Sequence, residues 1–93
     1  MSKILHILKE LQTPIAIEMI RQEAKRPDQE VMILLIQEAV KKALPMNDTL
    51  KTYILKEDLE DRGLTSPPNT QYTCINYQGM LDLIYQADKV VTW

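Results

Sequence analysis

The unbroken apolar run Val31–Ile36 is the feature that most constrains what this chain can fold into. Its six residues show no polar alternation, which fits a strand covered on both faces, since a strand with one wet face alternates. Further strand-like runs lie at 3–8, 50–55, 72–75 and 89–92, with helical periodicity between most of them. Strands that alternate with helices form a mostly parallel sheet. The sequence therefore predicts an α/β protein, a small three-layer fold with a mostly parallel five-stranded sheet flanked by helices.

Local signals predict where the helices begin and end. Thr13 is a predicted N-cap with Pro14 at the first helical position, where the missing N–H of proline costs nothing. Asn76 is placed to cap the last helix. Gly63 is the predicted left-handed residue that follows a short helix at 57–62.

Length and composition narrow the class of protein. The 93 residues predict a single domain spanning 1–93. The formal net charge is −2, which argues against free-standing nucleic-acid binding. No apolar run approaches the roughly 20 residues of a membrane span. A single cysteine and the lack of a signal-like N-terminus favour a cytoplasmic protein. Two glycines are too few for a glycine-rich phosphate loop, and we expect no cofactor and no membrane contact.

Several segments follow a recognisable order along nearly the whole chain. Tyr53–Leu64 carries the spacing Tyr-x-Leu-x-x-Asp-Leu-x-x-Arg-Gly-Leu, and Met1–Leu8 contains Leu-His-x-Leu. An apolar strand followed by Gln-Glu-Ala-Val lies at 33–40, an Asn-Tyr helix start lies at 75–83, and the chain closes on Trp93. In this order the segments resemble the DsrH/TusB family.

The resemblance implies a DsrE-like fold and a place in a hexameric complex that relays sulfur as cysteine persulfide. The implied partners are DsrE/TusD-like and DsrF/TusC-like subunits, and the TusBCD version serves 2-thiouridine formation in tRNA. Some DsrH proteins carry a cysteine late in the first helix, but the stretch 20–24 holds none here. Ala39 and Asn76 also replace the Gly and Asp of the family. These departures from the family pattern favour a structural subunit over one that carries sulfur itself.

Cys74 is the only residue of this chain able to carry a persulfide. A relay cysteine needs solvent access and a nearby cation or helix N-terminus. Cys74 lies in the predicted strand at 72–75, and a free cysteine in such a place is most often a small buried hydrophobe. We expect a largely buried thiol.

His6 and Trp93 are candidates for subunit contacts. His6 lies in the first predicted strand, and no serine–histidine–carboxylate pattern accompanies it. A structural or interface role is therefore favoured over a catalytic one. Trp93 ends the chain, and Trp is enriched at subunit contacts. An exposed terminal Trp is costly unless something covers it, so we expect a partner there.

The segment 57–61 forms an acidic patch that we expect to be a solvated helix face. Asp58 and Arg62 stand at i and i+4, which predicts a surface pair worth about 0.3–0.5 kcal/mol. A metal site would need carboxylates that converge on one point, whereas this short helix spreads them. The sequence therefore predicts no metal site.

The sequence is interpreted as a structural subunit of a cytoplasmic sulfur-relay complex that supports wobble-uridine 2-thiolation, contacts tRNA only indirectly and has no catalytic activity of its own. Three alternatives stay open. The chain could be a sulfur carrier that uses Cys74, a DsrEFH-type subunit of sulfur oxidation, or a self-associating homologue, a homo-oligomer of unknown ligand.

Overall fold

One sheet and its flanking helices account for the architecture. The structure, a computed structural model, describes residues 2–10, 14–41, 51–65, 67 and 72–93. The elements in chain order are β1 (Ser2–Leu8), α1 (Pro14–Ala24), β2 (Gln29–Leu35), a 3-10 helix (Gln37–Lys41), β3 (Lys51–Leu55), α2 (Lys56–Asp61), β4 (Thr73–Ile75), α3 (Tyr77–Gln86) and β5 (Lys89–Thr92).

All four strand pairings in the sheet are parallel, and the strand order is β4-β3-β2-β1-β5. β1 and β2 form the longest ladder, from Ser2 opposite Gln29 to Leu8 opposite Leu35. The predicted five-stranded, mostly parallel sheet is therefore confirmed, and every described pairing is parallel.

The central strand β2 is covered on both faces, as its apolar run predicted. Residues 31–35 are each at most 6% exposed. Ile33 packs into a core cluster with Ile20 of α1 and Leu59 of α2, whereas Leu34 packs into a second cluster with Leu83 of α3. We call these two sides of the sheet the α1 face and the α3 face. They complete the three-layer arrangement that the sequence predicted.

The strand order changes direction beside β1. The chain moves outward from β1 through β2 and β3 to β4 with α1, the 3-10 helix and α2 on the α1 face. α3 then carries it back across the α3 face to β5, on the other side of β1. The carboxyl ends of β1 and β5 therefore flank a topological switch point, the place where open α/β sheets commonly bind ligands.

The predicted starts of α1 and α3 agree with the structure, whereas α2 begins at Lys56, one residue before its predicted start. The Asn76 side-chain oxygen accepts a hydrogen bond from the Gly79 N–H at 2.9 Å, which is an N-cap of α3. α1 begins at Pro14 as predicted. Thr13, the predicted cap of α1, lies outside the described residues.

The end of α2 is a Schellman motif built around Gly63. Gly63 has a φ of 70°, in the left-handed region that glycine adopts without strain. Its N–H donates to the Glu60 carbonyl oxygen at 3.0 Å, and the Leu64 N–H donates to the Leu59 carbonyl oxygen at 3.0 Å. The predicted role of Gly63 is confirmed.

Candidate functional site at the carboxyl edge of the sheet

The final residue of the chain fills the switch point between β1 and β5. The Trp93 main-chain N–H donates to the Ile7 carbonyl oxygen at 2.9 Å, which continues the β1–β5 ladder. The indole lies edge to edge with the His6 ring, with centroids 6.1 Å apart and planes 24° from parallel. Its Nε1 also donates to His6 Nδ1 at 3.0 Å. The two residues predicted as interface candidates are thus brought together, although 87 positions separate them.

Glu23 of α1 completes this group. Its Oε1 lies 3.1 Å from His6 Nε2. An indole N–H can only donate, so Nδ1 of His6 must accept, and the imidazole proton must reside on Nε2 and point at the Glu23 carboxylate. The tautomer of His6 therefore follows from its two partners. We call Trp93, His6 and Glu23 the Trp93 clasp.

The hydrogen bonds of the Trp93 clasp hold its three side chains in fixed positions. His6 is 2% exposed, so a solute cannot reach its ring while the clasp is closed. The described hydrogen bonds of His6 lead to an indole and a carboxylate, and no hydroxyl or thiol that His6 could deprotonate is among its described partners. The clasp fastens Trp93 to β1 and α1. Contact of His6 or Trp93 with another subunit stays a prediction. Because His6 is buried, it could support such a contact only by positioning Trp93.

Glu23 was missed by the sequence reasoning, although a signal for it exists. The apolar stripe of α1 includes Ala16, Ile20 and Ala24, and Glu23 stands next to it, three positions after Ile20. A carboxylate on the core-facing flank of a helix needs a buried partner. His6 lies on the same face, because its register partner Ile33 belongs to the core cluster beneath α1.

The prediction of a buried Cys74 is wrong, because its thiol is exposed. β4 has three residues and pairs only with β3, so it forms an edge of the sheet. Cys74 lies opposite Ile54 and so faces the same side of the sheet as α1. There it lines an open cleft of about 460 Å³ together with Lys56, Leu59 and Gly63.

The acidic patch is only partly the solvated face that the sequence predicted. Asp58 is 9% exposed, and its Oδ2 accepts a hydrogen bond from the Gln37 main-chain N–H at 2.6 Å. Gln37 has a φ of 51°, a left-handed conformation that is uncommon for a residue other than glycine. The Asp58 carboxylate therefore stabilises the sharp turn that follows β2.

The predicted Asp58–Arg62 side-chain pair is replaced by contacts to the 3-10 helix. Arg62 Nε donates to Glu38 Oε1 at 3.2 Å, and its Nη1 donates to the main-chain carbonyl oxygen of Asp58 at 3.2 Å. Lys41 also contacts Glu38, at 2.7 Å. Lys41 first, and then Arg62, hold the pKa of the Glu38 carboxyl below its usual value. The segment that resembles the family motif thus ties α2 to the turn after β2.

Glu57 has a structural role as well. Its Oε2 accepts from the Tyr77 main-chain N–H at 3.3 Å, at the first residue of α3. A carboxylate at this end of a helix is favoured by the helix dipole. Glu60 and Asp61 are exposed, as the sequence predicted for the whole patch.

The described residues contain neither a metal-binding cluster nor a membrane-spanning helix. Across 2–10, 14–41, 51–65, 67 and 72–93, no group of three or more His, Cys, Asp or Glu side chains could hold a metal ion. Within that same part of the chain, no helix is long and apolar enough to cross a membrane.

Comparison with known proteins gives one family and one fold. A family model described as DsrH like protein matches residues 17–90. The crystal structure of the ychN protein from E. coli matches with a TM-score of 0.73 and 15% sequence identity, over 100% of both chains. At that identity the likeness shows the fold alone, and it agrees with the predicted fold class. No curated protein matches the chain.

Proposed function

This chain belongs to the DsrH-like family, and from that membership we propose that it is a structural subunit of a cytoplasmic sulfur-relay complex. The partners proposed are DsrE/TusD-like and DsrF/TusC-like subunits. The persulfide chemistry lies on a sister subunit, and the complex supports 2-thiolation of the tRNA wobble uridine. This chain packs against the sister subunits and orients them, and it contacts tRNA only through the assembly.

The composition and packing of late α1 carry this proposal. Some relatives place a sulfur-carrying cysteine there, whereas this chain has Ile20 and Glu23 in that stretch. Ile20 is fully buried in the core, and Glu23 is bonded to His6. Both positions are committed to holding the fold together. A subunit built in this way supports its partners and leaves the relay to them.

The surface around Trp93 is the proposed contact with a sister subunit. Trp93 is half-buried in its own chain, and the Trp93 clasp fixes the angle at which the remaining indole surface faces outward. A pre-oriented aromatic side chain loses little conformational entropy on binding, which favours affinity.

Co-expression with the DsrE-like and DsrF-like proteins of the same host tests the proposal. We expect the three chains to copurify, with equal numbers of each in native mass spectrometry. Deletion of Trp93 should weaken the complex about thirtyfold, since a central aromatic anchor contributes about 2 kcal/mol or more. Cys74→Ser should leave assembly intact and should restore tRNA 2-thiouridine in a deletion strain as well as wild type does.

Two results would contradict this function. One is a chain that stays apart from both candidate partners at every concentration tested. The other is an assembled complex whose loss leaves tRNA 2-thiouridine unchanged while sulfur oxidation fails. That second result would favour a DsrEFH-type subunit instead.

The exposure of Cys74 favours a second candidate function, that of a sulfur carrier. Its thiol is accessible and lines the cleft that Lys56 also lines. In this reaction the Cys74 thiolate attacks the outer sulfur of a donor persulfide, the donor S–S bond breaks, and the donor leaves as a thiolate. Alkylation after incubation with a persulfide-loaded donor, followed by mass spectrometry, should then show one added sulfur on Cys74. No added sulfur, under conditions that load a sister subunit, would exclude this candidate.

A further inference from the structure

One side of α3 carries an apolar stripe that the chain does not bury. Tyr77, Leu81 and Tyr85 follow one another at four-residue intervals and are 48%, 55% and 92% exposed. Residues four apart lie on one face of a helix, and eight residues span about 12 Å. Leu83 and Ile84 of the same helix pack against the core instead. We call Tyr77, Leu81 and Tyr85 the α3 stripe. Its alignment distinguishes it from the scattered apolar residues of an ordinary surface.

The α3 stripe is symmetric about Leu81, because a tyrosine stands four residues away on each side. A two-fold axis through Leu81 reverses the helix direction and brings Tyr77 against the partner's Tyr85. Leu81 then meets its own copy. Such a surface is complementary to itself, as a two-fold interface requires. Residues at i±4 also form the ridges used in the commonest class of helix packing. We propose that the α3 stripe is the interface of a two-fold symmetric homodimer.

The charge of α3 is compatible with a second copy as the occupant. Asp82 is the only charged residue between Tyr77 and Gln86, and its Oδ1 accepts a hydrogen bond from Gln78 Nε2 at 3.2 Å. Asp82 is about 100° around the helix from Leu81, so the two Asp82 carboxylates lie on the same flank of the helix pair, separated by about the 8–10 Å between packed helix axes. Like charges therefore do not meet at the centre. A partner recognised by charge would need a charged stripe to bind.

The size of the surface indicates a weak and reversible dimer. From the usual areas of aromatic side chains, the α3 stripe exposes on the order of 400 Å² per copy. Val90 adds to this apolar surface, because it is 39% exposed and lies on the α3 face. Its register partner Leu5 belongs to the cluster beneath α3, which assigns Val90 to that face. Interfaces of this size lie at the low end for specific complexes. We expect a Kd of about tens of micromolar.

A matched pair of substitutions tests the dimer. Leu81 and Met19 are each 55% exposed on a helix, but Met19 is on α1, on the other face of the sheet. Lys is a good helix former, so Leu81→Lys and Met19→Lys should both fold, which circular dichroism checks. Sedimentation equilibrium should show wild type and Met19→Lys in monomer–dimer exchange. Leu81→Lys should raise the Kd at least tenfold, because two ammonium groups would meet on the axis.

Cross-linking tests the position of the axis. A residue on a two-fold axis faces its own copy, so Leu81→Cys in a Cys74→Ser background should form a disulfide dimer under mild oxidation. Met19→Cys in the same background should stay monomeric. Because the disulfide traps each dimer that forms, cross-linking detects the contact even when association is weak.

Three outcomes would overturn the homodimer. One is a wild-type chain that is monomeric at the highest concentration reached. Another is an equal response to Leu81→Lys and Met19→Lys. The third is a monomeric chain in which Leu81→Lys instead abolishes binding of a sister subunit, which would assign the α3 stripe to a heteromeric contact. The homodimer does not rest on the sulfur-relay proposal, and either can fail alone.

Discussion

Replacement of His6 by alanine should destabilise the protein by about 3 kcal/mol. His6 is 2% exposed and holds both Trp93 Nε1, at 3.0 Å, and Glu23 Oε1, at 3.1 Å. Each lost hydrogen bond costs about 0.5–1.5 kcal/mol, with the bond to the carboxylate at the upper end. Loss of the buried imidazole also leaves a cavity, which adds about 1 kcal/mol or more.

Urea unfolding followed by circular dichroism and by fluorescence measures this loss. Trp93 is the only tryptophan, so its emission reports directly on the Trp93 clasp. In a domain of this size a loss of about 3 kcal/mol lowers the melting temperature by about 12–24 °C. His6→Ala should also shift the emission of Trp93 to longer wavelength in the folded state, because the indole loses the neighbouring imidazole and gains water.

A double-mutant cycle isolates the hydrogen bond itself. Trp93→Phe keeps an aromatic ring beside His6 and removes the indole N–H, so it should cost about 1 kcal/mol. In the double variant, the loss of stability should be smaller than the sum of the two single losses by at least about 0.5 kcal/mol, as expected for residues in contact. Glu18→Gln, an exposed change on α1, serves as a control and should have little effect. Additive losses, or a loss below about 1 kcal/mol for His6→Ala, would refute the clasp.

Three further predictions follow from other parts of the fold. Leu34→Asp should cost several kcal/mol, because it places an unpaired charge at a fully buried position, and a variant that melts like wild type would contradict the buried sheet. Asp58→Ala should cost about 1–3 kcal/mol by leaving the Gln37 N–H without its acceptor, whereas Asp58→Asn keeps an acceptor and should cost less by urea unfolding. Lys51 bonds to Glu30 and lowers the pKa of that carboxyl below its usual value of 4.5, so the stabilising effect of this pair is present at neutral pH and is lost as acid protonates Glu30. Lys51→Met should therefore raise the Glu30 pKa measured by NMR titration, and an unchanged titration would contradict the pair.

Much of the fold could be predicted from patterns that act over a few residues. The run at 31–36 indicated a strand buried on both faces, and β2 is that strand. Asn76 and Gly63 were identified as helix-terminal residues because capping depends on side chains and dihedral angles next to the helix end. These signals need no knowledge of which strands are neighbours.

The candidate site could be predicted only in part, because it depends on pairings between distant residues. His6 and Trp93 were singled out separately, each by its residue type and place in the chain. Their contact exists because β5 returns to lie beside β1, and Glu23 joins them because α1 crosses the same face. Asp58 was expected to face solvent, because the local sequence does not reveal its partner. That partner is the main-chain N–H of Gln37, 21 residues away.

Cys74 shows most clearly what the tertiary structure decided. Its neighbours in sequence are those of a buried strand, and the local pattern correctly predicted that residues 73–75 are extended. Its exposure comes from the position of β4 at the edge of the sheet, where no further strand among the described residues pairs with it. Hydrophobic periodicity specifies which face of a strand is apolar, whereas burial also depends on what lies across from that face. The sequence by itself therefore determined the strands, the helices and their caps, and the order of the strands decided which side chains meet.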